Sequence, residues 1–319
     1  MSPVEFVHPL PVPSGTPGGR RTIAIKQVDA FTEVAMTGNP AGVVLDGSDL
    51  TDEQMQYVAR EMNVSETAFI LPPTGSGADI RIRWFTPETE VPLCGHATIA
   101  GFHALAEENM CGMVSVGNYA FDVETKSGIL PVTVAKDTKS IDVMFGLSVP
   151  KFVRAGQHKL DVMRILNISL EEIENRKPIV AAGYLYVPIR RLHTIFAMKP
   201  NFFSMAQFLS NRGLSGICVF TSETIERTSA VHSRFFAPVV GINEDPVTGT
   251  ANGPLGAYLF EYGQLKPTGD TITLMGEQGD VIGRKGRVII ELKVREKEIL
   301  SVRIGGRAVT VLNGEMVVS

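Results

Sequence analysis

The stretch VPLCGHATIAGFHAL, Val91 to Leu105, decides how this chain folds. Cys94 and His96 flank a glycine at the head of a run apolar enough to form a buried helix. A nucleophile, a metal site, a phosphate loop or a tight turn would each look like this locally. The stretch has an echo at Asp245 to Phe260, DPVTGTANGPLGAYLF, where Thr248-Gly249-Thr250-Ala251 lies over Cys94-Gly95-His96-Ala97.

The echo extends outward in both directions. A strand precedes each copy, RIRWFTP at Arg81 and HSRFFAP at His232. Further upstream, Thr51 and Gln54 form a capping box, and Met55, Val58, Ala59 and Met62 recur at helical spacing. Met205, Phe208 and Leu209 repeat that spacing in the second half. Asn63 and Gly213 end the two helices, both residue types that tolerate positive φ. Each copy closes on a Gly-led strand pair, SGILPVTVAKDTKSIDVMF from Ser127 and KGRVIIELKVREKEILSVRI from Lys285. This is an internal duplication of half the chain. It predicts an α+β fold of two pseudo-repeated domains, each an antiparallel β-barrel around a central helix. Helices apolar on nearly all faces belong inside a sheet, not on a surface. The expected boundaries are a flexible tail at 1–21, a first domain at 22–137 and a second at 138–302. Residues 303–319 return to pack on the first.

Composition excludes several classes. With 44% hydrophobic and 20% charged residues the chain is globular. A net charge of −4 gives no field for nucleic acid and no polybasic membrane patch. No apolar run reaches the roughly 20 residues that span a bilayer. MSPVEFVHPLPVPSGTPGGR at the start lacks the regions of a secretory signal. Three cysteines without close pairing suit a reducing compartment, so the expected location is cytoplasmic.

If a pseudo-twofold axis relates the halves, the two helix N-termini face one cleft. Free N–H groups at Gly95, His96, Gly249 and Thr250 would favour an anion there, and a substrate carboxylate fits better than a triphosphate. There is no Walker A sequence, and no strand leads into a GxGxxG. The expected complement is no cofactor and no metal: Cys94 and His96 lack a visible set of further clustered ligands.

The segments DAF…GNPAGVV, EMNVSETAFI, FTPETEVPLCGHATIAG and NEDPVTGTANG resemble those of the phenazine-biosynthesis-like (PhzF-like) isomerases, which share the fold of diaminopimelate epimerase. The resemblance runs from about Thr22 to the C-terminus. It implies two barrel domains with the active site between them, Glu66 as catalytic acid/base, and His96, Asp245 and Thr250 as supporting polar residues. It further implies a backbone N–H from Gly95; Asn39, a candidate substrate contact, either reaches the cleft from its GNP turn or serves the turn alone.

The residues can also be weighed alone. Glu66 lies in an apolar strand, where an unpaired carboxylate is costly, and its repeat position is Gly216. It is either an outward-pointing strand residue or a proton carrier with a raised pKa. His96 at a helix N-terminus should be neutral; His103 reads as core. Asp245 before Pro246 either opens a turn or serves the second helix start. Cys94 at a helix N-terminus should have a lowered pKa. Diaminopimelate epimerase and proline racemase use one cysteine from each half, but the partner position here is Thr248, too weak an acid. The reading is a cofactor-independent isomerase that moves a proton within a small carboxylated substrate, with a homodimer expected. An amino-acid racemase or epimerase and a non-catalytic binding or adaptor protein are the rivals.

Overall fold

The computed structural model describes residues 21–75, 77–263, 265 and 269–318. The expected tail lies outside them, apart from Arg21. The first half runs β1 (Arg21–Ala30), β2 (Asn39–Val44), α1 (Asp52–Met62), β3 (Glu66–Leu71), β4 (Ile80–Phe85), β5 (Glu90–Val91), α2 (Gly95–Glu107), β6 (Gly117–Thr125), β7 (Gly128–Lys136) and β8 (Ile141–Leu147). The second starts with β9 (Val153–Arg154), α3 (Lys159–Leu166), β10 (Val180–Ala182), β11 (Tyr184–Pro188), α4 (Leu192–Ala197) and α5 (Phe202–Ser210). It continues with β12 (Gly216–Thr221), β13 (Val231–Ala237), β14 (Ile242–Asp245), α6 (Gly249–Glu261), β15 (Thr271–Gln278), β16 (Gly286–Arg295) and β17 (Glu298–Gly306). The last strand, β18 (Ala308–Val318), returns to lie antiparallel to β1.

Local signals set several of these boundaries. Thr51 Oγ1 accepts from the Gln54 N–H while the Gln54 side chain accepts from the Thr51 N–H, and Asn63 closes α1 at φ 51°. Gly213, at φ 62°, follows α5. Both helices bury the apolar faces that their spacing predicts.

All the strands belong to one large sheet, so the fold is mixed α/β. From β18 the order is β1, β2, β3, β4, β6, β7, β8. There β8 joins β17, and β16, β15, β13, β12, β11, β10 and β9 follow. The sheet is not wholly antiparallel, as the sequence suggested. The joints β2–β3, β4–β6, β11–β12 and β13–β15 are parallel. Each is spanned by a helical crossover, through α1, α2, α4 with α5, and α6 in turn. A crossover through a helix returns the chain in its original direction.

Helix α2 is buried from Gly95 to Ala106, and α6 over most of its length. The first packs against β1, β2, β3 and β8, the second against β16 and β17. Along β3 the alternation assigns faces: Ala68 and Ile70 pack in the core that holds α2, Phe69 in the one that holds α1. By the same period of two, Glu66 points to the α2 side. No helix among the described residues is long and apolar enough to cross a membrane.

Candidate active site

The starts of α2 and α6 meet. A Cβ built on Gly95 would lie 3.8 Å from Thr250 Cγ2. Between them opens a cavity of about 390 Å³ lined by Glu66, Cys94, Gly95, His96, Asp245, Thr248, Gly249 and Thr250, with apolar walls that include Leu93, Phe235 and Ile242. This volume suits a small ligand. A cavity of about 410 Å³ elsewhere, around Phe31 and Met275, is no rival. Its two arginines are already committed, Arg287 to Glu226 and Asp280, Arg307 to Glu33 and Asp142.

Glu66 stands at the first residue of β3, opposite Ala41 of β2. Burial raises its pKa to about 7, and the negative charge of Asp245 adds to the effect. His96 Nε2 lies 3.3 Å from Glu66 Oε2. Neither atom has a well-aligned partner and both are buried, although the Cys94 thiol meets the Glu66 carboxyl and the Pro40 backbone meets the His96 ring. Burial lowers the His96 pKa to about 4, so the ring is neutral and the contact is not an ion pair. The direction is the one expected for a helix start, but the main cause is desolvation rather than the dipole. Buried polar atoms of this kind are uncommon, and the two residues that carry them line the cavity.

Asp245 ends β14 on the opposite wall. Asn39 Nδ2 donates to its Oδ1 at 2.8 Å, and Thr248 Oγ1 lies 2.5 Å from its Oδ2. Burial raises its pKa to about 6 even though both of these bonds pull it down. Asn39 does not line the cavity, contrary to expectation. It is fully buried, and its amide nitrogen is spent on Asp245 and on the Val247 carbonyl at 2.9 Å. The residues expected to touch substrate at Gly95, Gly249 and Thr250 do line it.

Cys94 corrects a second expectation. It caps α2 without a side-chain cap bond, and its pKa is pushed well up, not down. Full burial is the main cause, and the Glu66 charge opposes a thiolate as well. Glu66, Cys94 and His96 each place one ligand-type atom within 4.8 Å of the others, so the third ligand that the sequence left unseen is present. However, Cys94 Sγ approaches His96 Nδ1, at 3.5 Å, whereas Glu66 approaches Nε2. The two closest approaches therefore use different nitrogens of the one ring.

Two residues at or behind the site carry no sequence motif. Tyr184 bonds Thr250 Oγ1 at 3.2 Å and packs edge-on against Phe235 at 4.8 Å. Gln278, fully buried, lies behind Asp245 and bonds its carbonyl. For Gln278, the one available signal was a polar residue inside a strand before the positive-φ Gly279.

Known proteins resemble this chain over most of its length. The family model described as phenazine biosynthesis-like protein matches residues 28–314. An uncharacterized isomerase of Clostridium acetobutylicum is 38% identical, covering 94% of this chain and 99% of its own. An uncharacterized isomerase of Salmonella typhimurium is 33% identical over 92% of this chain and 98% of its own. The crystal structure of a PhzF-family phenazine biosynthesis protein from Bacillus anthracis superposes with a TM-score of 0.83 at 34% identity, covering 93% of this chain and 99% of that one. The chain therefore belongs to the phenazine biosynthesis-like family, and it is an isomerase of that family.

Proposed function

We propose that this isomerase moves a proton within a small carboxylated substrate, with Glu66 as the single acid/base. The observation that carries the reading is the Glu66 carboxyl 3.3 Å from the neutral His96 ring, with both residues lining the cavity. A carboxyl with its pKa raised to about 7 can both take and return a proton near neutral pH. Neutral His96 orients the substrate, Asp245 steadies developing charge, and the N–H groups at Gly95, Gly249 and Thr250 hold the carboxylate. Asn39 supports Asp245 from behind.

A one-base mechanism is favoured over a two-base racemase by what the second half holds at the position of Glu66. Gly216 corresponds to it by register, and a Cβ there would lie 2.5 Å from Phe235 Cζ and 2.9 Å from the Phe236 carbonyl oxygen. No second acid fits. Thr248 stands where a second thiol would be. The same proposal holds the chain to form pseudo-repeated barrel domains divided near residue 137, which passes β8 to the second domain, with 303–319 on the first. The recurrence of the parallel joints supports this, as does β18 beside β1. It further includes a cytoplasmic location, supported by three free cysteines, and a homodimer.

The test is solvent-deuterium uptake into a panel of carboxylated cyclohexadienes and amino acids, followed by single-turnover kinetics on the substrate found. Glu66→Gln should fold and bind as the parent does, yet lose turnover and exchange together by at least about 10²-fold. Exchange at the parental rate would pass the role of base to His96 or Asp245.

A further inference from the structure

Gln278 uses every hydrogen-bonding position of its amide. Nε2 donates to the Asp245 carbonyl at 2.9 Å and to Thr248 Oγ1 at 3.1 Å. Oε1 accepts from the Thr248 backbone N–H at 3.1 Å and from Asn252 Nδ2 at 2.8 Å. A backbone carbonyl only accepts and a backbone N–H only donates, so this orientation of the amide is forced. The constraint passes to Thr248. Its oxygen already receives the Gln278 N–H, so its one proton goes to Asp245 Oδ2, 2.5 Å away. On the other side, donation to the Val247 carbonyl fixes the Asn39 amide with its nitrogen toward Asp245 Oδ1. Both oxygens of Asp245 therefore face donors, which favours the carboxylate over the acid.

The first half has no such device. By register Gln278 corresponds to Thr125, whose hydroxyl donates to the Gly128 carbonyl of its own turn, and Asp245 corresponds to Val91. Among the described residues the amide stands behind Asp245, and the corresponding position of the first half carries a turn threonine instead.

We propose that Gln278 is a positioning residue: by fixing the direction of the Thr248 hydroxyl, it holds Asp245 as a standing negative charge opposite Glu66. The groups that face Asp245 are Glu66 from β3, Cys94 and His96 at the head of α2, Tyr184 from β11, and its neighbour Glu244, which is paired with Arg234. Burial keeps His96 neutral and Cys94 and Tyr184 protonated. Glu66 is then the partner that feels the Asp245 charge near neutral pH. The consequence for catalysis rests on Glu66 being the base, but the wiring of Asp245 does not.

Carboxyl ¹³C NMR titration of the full chain, with Asp and Glu labelled separately, tests this without turnover. Failure here is thus distinct from failure of the Glu66 mechanism. Thr248→Val and Gln278→Met should each raise the Asp245 midpoint and lower that of Glu66, by about tenfold in proton affinity for Thr248→Val. Thr248→Ser, which keeps the hydroxyl, should titrate like the parent. The double variant Gln278→Met with Thr248→Val should match Thr248→Val alone, because Gln278 acts through that hydroxyl. Unmoved midpoints in Thr248→Val, shifts of the two carboxyls in the same direction, or additive effects would overturn the proposal. Should Gln278→Met not fold, the Gln278 side-chain amide resonances decide. They should shift in Thr248→Val and hold in Thr248→Ser; the reverse pattern overturns it.

Discussion

Arg83 in β4 and Arg234 in β13 correspond by register, and each grips a glutamate of the next short strand through two bonds of 2.8 Å, Glu90 and Glu244. Two residues earlier, Arg81 meets Glu124 at 3.4 Å, while its counterpart His232 meets Glu277 at 2.9 Å. These pins tie β4 to β5 and β6, and β13 to β14 and β15, in the same way in both halves. The cavity positions do not repeat. Glu66 faces Gly216 across the repeat, Val91 faces Asp245, Cys94 faces Thr248, and His96 faces Thr250. What holds the sheet is shared between the halves, whereas each half supplies different chemistry to the cleft.

Removing the corresponding arginines is the hardest test of that likeness. Arg234→Met strands Glu244 and also frees the Ile195 and Met198 carbonyls, which Arg234 bonds at 2.8 and 3.0 Å. Arg83→Met leaves Glu90 with Lys126 at 2.5 Å. Urea unfolding should show a loss of about 3–5 kcal/mol for Arg234→Met, the range for breaking a buried pair. The loss for Arg83→Met should be clearly smaller. Equal losses would mean that Lys126 gives Glu90 no compensation.

The acid that breaks the symmetry has a stability signature of its own. Folding raises the Glu66 pKa from 4.5 to about 7, so the folded chain keeps a proton that the unfolded chain releases. The stability this contributes is fully present below about 4.5 and is lost as pH rises through about 7. Glu66→Gln is neutral throughout and lacks this component. Between about pH 4 and pH 8 the parent should lose on the order of 3 kcal/mol relative to the variant. A pH-independent difference would mean that Glu66 titrates as an exposed carboxylate does.

Much of this was legible in the sequence, because the signals were local or repeated. The Thr51 capping box, the stops at Asn63 and Gly213, and the apolar runs of α2 and α6 need only their own neighbours. Glu66 stood out as a carboxylate in an apolar strand, and its face follows from the alternation of Ala68, Phe69 and Ile70. What was not legible depends on distant pairing. The Asn39–Asp245 bond spans 206 residues, so a turn asparagine gave no hint that it would serve the far half. The rise in the Cys94 pKa comes from burial and from Glu66 beside it, neither visible in the LCGH motif. Strand direction was misjudged because the helices were read as fillers of the barrels and not as crossovers.

Gly216 gives a smaller test of the same asymmetry. A Cβ there meets a ring atom and a backbone oxygen, and the ring of Phe235 is buried against Tyr184. Gly216→Ala should cost about 1–3 kcal/mol, the usual range for overpacking. Thermal unfolding at fixed pH measures it. A neutral result would show that the packing around Gly216 can yield, and it would reopen the case for a second acid at that position.

The smallest effect is expected at Cys94, where the two halves differ in the residue that a two-thiol mechanism would need. Its thiol is buried and held protonated, and the position across the repeat is Thr248, which cannot return a proton to the opposite face of a substrate. Cys94→Ala removes one small atom from the cavity wall and one weak neighbour of Glu66. Turnover should fall by no more than about tenfold, or about 1.4 kcal/mol of barrier, and deuterium should still enter the substrate at the carbon Glu66 serves. If Cys94 were a base, its loss would abolish exchange on one face while the other face continued to exchange. A fall beyond about 10³-fold in kcat with the fold intact, roughly 4 kcal/mol, would mark thiol chemistry and make this half the working member of a two-base pair. Exchange and turnover measured together on Cys94→Ala and Glu66→Gln separate the cases: a one-base enzyme loses both activities only when Glu66 is changed.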